Sequence, residues 1–327
     1  MRDPSDPIGP EQFGADSVDP ARVERSVFWF VLFLVAVLVL CILVLLNIGE
    51  YGGTLFLALP LTIGVLIGFT AFHRYSYTRF ALIAFAIAAV LGLLTLVTGF
   101  EGAICILMAY GLILLPITIG LFIGTALWRI RLKRHLPMLL LVCAVNPITY
   151  VTERSFPPFY TQQVVTTIDV DASIADVWAA LTGPVEFGES DHLLLSGGVT
   201  YPLDMRLDRS GEEACLVCHL NNADTRLRVT GIDSLRSLAF EPVEQPPPMR
   251  EVSFIGELEA PHLHGYFGVD RGEFRLEPLV DGRTRLVAIT HYHHRIAPAF
   301  YWRWWSDHLI DAMHRNVLHG VALKAEG

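Results

Sequence analysis

Apolar positions follow two regimes along the chain. From about residue 27 to residue 152 they run almost unbroken, and beyond that they alternate with polar positions. Four apolar runs are each long enough to span the ~30 Å hydrocarbon core of a bilayer: Val27–Ile48, Thr54–Phe72, Phe80–Val97 and Ile104–Trp128. A fifth stretch, Leu136–Thr152, reaches only ~25 Å at 1.5 Å per residue. Pro137 suits its start, and Asn146-Pro147 is expected to break or kink its end. A fifth span is the preferred reading, with a re-entrant or interfacial segment as the alternative. The pattern predicts a transmembrane domain over 27–152 and a second, soluble domain over 160–327.

The soluble half opens with Val164, Thr166, Ile168 and Val170 at period two, a strand. Ser173 and Asp176 then stand at capping-box spacing. Ile174, Val177, Trp178 and Leu181 follow on one helical face. Further strands are expected over 200–207, 214–220, 225–232, 235–242, 250–257, 271–279 and 283–294. Asp281-Gly282 signals a hairpin of the type I′ kind between the last two. A final helix is expected from about Pro298, as its first residue, to about Lys324. Its apolar stripe is Trp302, Trp305, Leu309, Met313, Val317 and Val321. Arg303, Asp307, Asp311 and Arg315 make a charged stripe at i, i+4 spacing. The fold class is therefore an all-α membrane bundle of four to five helices followed by an α+β domain.

The membrane half contains a repeat. Pro60-Leu-Thr-Ile-Gly-Val-Leu-Ile-Gly68 matches Pro116-Ile-Thr-Ile-Gly-Leu-Phe-Ile-Gly124. Two hairpins in the same orientation are implied, packed through Gly64/Gly68 and Gly120/Gly124, small residues that let helices approach. No charged residue lies in mid-run, which argues against a proton relay or conduction path. Glu50 and Glu101 sit in short turns, either as interfacial residues or as a paired ion site. Lys and Arg cluster around residues 73–79 and 129–134 and are missing from the turns at 49–53 and 98–103. The positive-inside rule then puts the N-terminus in the cytoplasm and, with five spans, the C-terminal domain outside it. Residues 1–26, with four prolines among acidic residues, read as a disordered cytoplasmic tail.

Composition adds exclusions. The 327 residues carry a formal net charge of −9, the wrong sign for nucleic acid. Of five cysteines, Cys41, Cys105 and Cys143 lie in apolar runs. Cys215 and Cys218 sit on a strand at a spacing that points them to opposite faces, so a local disulfide or zinc half-site is not expected.

Strand, short helix, antiparallel meander and long terminal helix, in that order, resemble the SRPBCC superfamily (START-like or Bet v 1-like, often labelled polyketide cyclase/dehydrase-like). The residues that carry the likeness are Val164–Trp178, Asp281–Leu286 and the Trp-rich last helix. Pro246–Glu251, Pro261–Tyr266 and Tyr301–Asp307 resemble segments of membrane-anchored bacterial members. The resemblance implies a curved sheet gripping the last helix around an apolar cavity, in a bacterial inner membrane.

Candidate chemistry is sparse. Tyr266, Tyr292, His294 and Tyr301 could line such a cavity and bind ligand, and Tyr292 and His294 have the chemistry for acid–base work on a carbonyl. His262, His264, His291 and His293 pair on strand faces at metal-ligand spacing, but no carboxylate completes a set, and no metal is favoured. No cofactor motif occurs, and none is expected. Trp304, off the core stripe, is a membrane-contact candidate. The expected function is binding of a hydrophobic small molecule or lipid beside the bilayer. The alternatives are a cyclase- or dehydratase-like enzyme, towards which the sequence does not lean, and a structural or regulatory membrane protein. The expected partners are membrane lipids and an apolar ligand, with homo-oligomerisation open.

Overall fold

The structure, a computed structural model, describes residues 20–71, 77–99, 101–129, 135–211, 213–253, 256–258 and 263–327. The tail expected at 1–26 lies outside the described residues as far as residue 19, and helix α1 (Pro20–Ile48) starts with a proline ahead of Val27. A π-helical turn, Thr54–Ala58, leads into α2 (Leu59–Ala71), followed by α3 (Tyr77–Thr98), α4 (Ala103–Arg129) and α5 (His135–Ser155). Among the described residues three helical stretches, Arg25–Ile48, Ala81–Thr98 and Ala103–Arg129, are long and apolar enough to cross a membrane. The apolar stretch Thr54–Thr70 is shorter. Phe33, Leu40, Leu82, Val90, Leu107 and Leu115 are exposed large apolar side chains on α1, α3 and α4, as lipid-facing positions would be.

The repeat forms the centre of the bundle. A methyl group placed on Gly64 would sit 2.3 Å from the Ile117 carbonyl oxygen, and one on Gly120 2.3 Å from that of Leu61. Gly68 and Gly124 meet the backbones of Leu121 and Val65 in the same way. The two small-residue faces thus lie backbone to backbone, which is how α2 and α4 approach so closely.

Helix α5 continues through Pro147, contrary to the break expected at Asn146-Pro147. Proline leaves the carbonyl four residues back without its helical donor. That carbonyl belongs to Cys143, and the Asn146 side chain donates to it at 3.1 Å. Asn146 also donates to Thr62 at 3.0 Å. At the end of α5, Glu153 accepts from the backbone of Gly53 and Thr54, the start of the π turn. Its neighbour Arg154 pairs with Glu50. So α5 runs antiparallel to α2 and ends beside the Gly49–Gly53 turn.

The soluble half comprises β1 (Tyr160–Val170), α6 (Ile174–Thr182), β2 (Val185–Glu186), α7 (Leu193–Ser196), β3 (Pro202–Asp208), β4 (Cys215–Leu220), β5 (Asp224–Asp233), β6 (Ser237–Pro242), β7 (Glu251–Ser253), β8 (Gly256–Leu258), β9 (Phe267–Pro278), β10 (Thr284–His294) and α8 (Ala299–Glu326). Eight strands form one antiparallel sheet in the order β1-β10-β9-β6-β5-β4-β3-β2. Ser173 caps α6 and accepts from the Asp176 backbone at 3.3 Å. Leu216, Leu238, Leu286 and the α8 residues Leu318 and Val321 are fully buried between sheet and helix. The charged stripe of α8 forms the ion pairs Arg303–Asp307 and Arg315–Asp311.

Four local expectations change. Pro298 is the N-cap of α8 and not its first residue. The single strand expected over 250–257 is instead the two short strands β7 and β8, paired apart from the main sheet. Gly256, at φ +114°, opens the second of them. The β9–β10 connection is longer than a type I′ turn, because the last pair before it is Pro278 with Thr284. Of its central residues only Gly282 has positive φ, +84°, and type I′ needs two. The strand β2 and the helix α7 had no expected counterpart.

If the glycine contact holds α2 to α4, Gly120→Val should cost at least ~1–3 kcal/mol through overpacking. Leu115→Ala on the lipid-facing side of the same helix should change little. Thermal unfolding of both variants in one detergent checks this.

Candidate functional site

The concave face of the sheet and the inner face of α8 do not close on each other. They bound a cavity of about 380 Å³ that continues down among the ends of α1 to α4. Its chamber is lined by side chains such as Leu227, Phe240, Phe274, Met313 and Val317. Pro246 and Pro248 also line it, and the backbone N–H of Thr200 donates to the Pro248 carbonyl at 2.9 Å.

The chamber sits on the end of the bundle that carries Glu50 and Glu101, opposite Arg79 and Arg129. Tyr266 donates its hydroxyl to the Gly49 carbonyl and stacks edge-on against Tyr51, with ring centroids 5.4 Å apart. Tyr301 donates to the Met108 carbonyl in α4. Trp302 packs on Phe56, 5.3 Å between centroids. Tyr51 donates to Glu101, itself buried, at 2.6 Å. Glu50, by contrast, pairs with Arg154, so the two turn carboxylates have different partners.

Two histidines line the cavity, in opposite states. His314 is locked. Thr166 donates to Asp311 at 2.6 Å, so its hydroxyl oxygen is left to accept from His314 Nδ1 at 2.9 Å. The imidazole Nε2 is then the acceptor for Thr290, at 2.7 Å. Burial pushes the His314 pKa down to about 4, against a smaller opposing pull from Asp311. The ring is neutral at physiological pH. His294, at 1% exposure, has both ring nitrogens buried without a well-formed hydrogen bond, although the Ile296 backbone interacts with the ring and opposes part of the effect of burial. Burial likewise holds its pKa below the usual histidine value. The indole N–H of Trp302, 8% exposed, is also buried and unpartnered.

The structure therefore distributes the sequence candidates. His294 lines the cavity. Tyr292, fully buried, donates to Asp307 at 2.6 Å and packs beside Val164 and Ile310. Burial first, and the Asp307 contact second, raise its pKa. Tyr266 and Tyr301 have their hydroxyls on the bundle backbone. Of the paired histidines, His262 lies outside the described residues and His264 is exposed. His291 lies 3.2 Å from Arg271, and His293 bonds Asp270 at 2.7 Å. Among the described residues no group of three His, Cys, Asp or Glu side chains could hold a metal ion. Cys218 is buried, its thiol pushed up to about 12 by that burial, and Cys215 is half-buried. Trp304 is 60% exposed and stacks on His308.

Sequence reasoning missed His314 and Trp302 as cavity residues. His314 falls on the same α8 face as Ile310 and Val317, and a histidine on an otherwise apolar face was the available signal. Trp302 was read as core, which its burial supports, but its indole nitrogen had no readable partner.

An eight-stranded antiparallel sheet curled around a long C-terminal helix makes this half a helix-grip domain, docked on a bundle of apolar helices. No family model matches the chain, and no curated protein matches it. Solved structures similar to it include a protein from Nitrosospira multiformis, at 16% identity over 50% of this chain and 95% of that one, TM-score 0.33. Truncated norcoclaurine synthase from Thalictrum flavum matches at 13% identity over 50% and 92%, TM-score 0.30. Zhui aromatase/cyclase from Streptomyces sp. R1128 matches at 16% over 51% and 94%, TM-score 0.31. The fold class rests on the sheet order and on α8 themselves.

The His314 environment gives a pH dependence. The folded pKa, about 4, lies below the ordinary ~6.5 of the unfolded chain. The unfolded state therefore binds more protons between those values. This contribution is fully present above pH ~6.5 and is lost as pH falls towards ~4, by up to ~1.4 kcal/mol per unit. His314→Gln, which can still bond both threonines, should flatten that part of the stability profile in thermal melts from pH 7 to pH 4.5.

Proposed function

We propose that the protein is a membrane-anchored binder of a hydrophobic small molecule or lipid, held in the helix-grip cavity. The observation that carries this reading is a mainly apolar cavity of about 380 Å³ whose wall includes His294 and Trp302, with buried nitrogens that lack a well-formed hydrogen bond. A buried polar group left unpaired costs ~1–3 kcal/mol. A ligand group bonded there recovers that cost, and ligand pockets typically combine apolar walls with a few such orienting groups. The volume lies within the ~300–1,000 Å³ range of small-molecule sites.

Position supports the same reading. A cavity tethered against the bilayer meets membrane-soluble ligands at high effective concentration. By the positive-inside rule, the end of the bundle bearing Arg79 and Arg129 faces the cytoplasm and the helix grip lies on the other side. On element order we read the domain as an SRPBCC type, in a bacterial inner membrane.

Native mass spectrometry of the full-length protein, released from detergent micelles, tests the proposal. A discrete added mass that extracts into organic solvent is expected. Met313→Trp, which narrows the chamber, should lower the occupied fraction. A bare mass that persists after incubation with membrane lipid extract would refute ligand binding.

A further inference from the structure

Resting on that reading, the lower part of the cavity narrows the class of ligand. Beneath Trp302 the cavity continues among the membrane helices, walled by Ile42 and Leu46 of α1 and by Leu91 and Thr95 of α3. Its lining reaches Ala88, ten residues before the end of α3, and Ile113, ten residues after the start of α4. Ten helical residues rise ~15 Å, about half the ~30 Å hydrocarbon core. This shaft is apolar. Among the described residues the hydroxyls on its wall are bonded to backbone carbonyls, that of Thr95 to Gly92 at 2.9 Å and that of Tyr110 to Phe85 at 3.2 Å.

Polarity is concentrated at the top of the shaft, where Trp302 packs on Phe56 and His294 ends β10. An indole N–H only donates, whereas a neutral imidazole donates from one nitrogen and accepts at the other. A hydroxyl answers both, accepting from Trp302 and donating to His294, and a carbonyl can accept from each. Charge excludes another class. Among the described residues none of those lining the cavity is Lys or Arg, while Glu101, Glu244 and Glu273 line it. A phosphate head would be buried without a cation, at high cost. The volume, near the lower end of the usual range, suits one tail rather than two.

We infer that the shaft holds the tail of a neutral, single-tailed lipid whose hydroxyl or carbonyl head is bonded by His294 and Trp302. In this pose the tail stays at its own depth in the bilayer. Only the head leaves the membrane, so loading needs no transfer of the tail through water.

The test uses the full-length protein in phosphatidylcholine nanodiscs doped with a long-chain fatty alcohol bearing a mid-chain diazirine, or with its phosphate monoester. After irradiation, peptide mass spectrometry maps the labelled residues. The alcohol should label Ala88, Leu91 and Ile113, and the phosphate ester should label them about tenfold less. His294→Leu should cut that labelling about fivefold, the loss of one net hydrogen bond, with labelling of lipid-facing Leu82 and Leu115 unchanged. Label on Leu227 and Met313 with none in the shaft would overturn this inference and leave the binding function standing. Label on Leu82 and Leu115 alone would overturn both. Equal labelling by the phosphate ester would overturn the neutral head. The wild-type pattern decides these points even if the variant fails to fold.

Discussion

Two phenol hydroxyls, the Ala297 backbone N–H, bonded to the Tyr51 carbonyl at 3.1 Å, and one indole ring join the helix grip to the bundle, and the cavity spans that contact. The Gly49 carbonyl lies just past the end of α1, where helices leave acceptors without an intrahelical donor. Tyr266 supplies one. Tyr301 reaches the second lone pair of a carbonyl already inside α4, that of Met108. Trp302 fills the space between these anchors by packing on Phe56. A helix grip detached from the bundle would open its lower end to water. Docked, the same opening leads into hydrocarbon. The tyrosines thus turn an open cup into a passage without taking part in what it holds.

Inside the domain the polar groups divide by whether their partners are built in. Asp311, Thr166, His314 and Thr290 form a chain in which every proton is assigned by its neighbour, and Asp307 serves Tyr292 in the same way. Such networks fix side chains in place, because breaking any link strands a buried group. His294 and Trp302 lack that satisfaction. Both line the cavity where it passes from the helix grip to the bundle.

The sequence disclosed whatever depends on neighbours along the chain. Apolar runs marked the helices, period-two alternation marked β1, and Ser173 marked the start of α6. The glycine repeat even disclosed a tertiary contact, because close helix packing needs small residues at fixed spacing. What stayed hidden depends on pairs far apart in number. Asn146 compensating Pro147 was unreadable without seeing the Cys143 carbonyl turned towards it. Tyr266 and Tyr301 had ligand-like chemistry, and only the position of the bundle shows their hydroxyls to be occupied. The charged stripe of α8 showed only its i, i+4 spacing, whereas Asp307 and Asp311 each also accept from a residue of the sheet, Tyr292 and Thr166. β8 opens at Gly256, whose positive φ falls inside what was expected as one strand.

Duplication in the membrane half explains why there is a shaft at all. Because Gly64/Gly68 and Gly120/Gly124 bring α2 and α4 into backbone contact, these two helices form a narrow central pair. Helix α1 packs on α2 and α3 on α4, so the outer helices are carried on opposite partners. The space at the top of the bundle is then bounded by Ile42 and Leu46 on one side and by Leu91 and Thr95 on the other, with Met108, Tyr110 and Ile113 of α4 along its wall. Bulky residues at the glycine positions would push α2 and α4 apart and let the outer helices settle into the gap. Tight packing at the centre of the bundle and open space at its rim are therefore one constraint seen from two sides. The helix grip sits over that rim because the helix ends there offer both the carbonyls that anchor it and the opening that it covers.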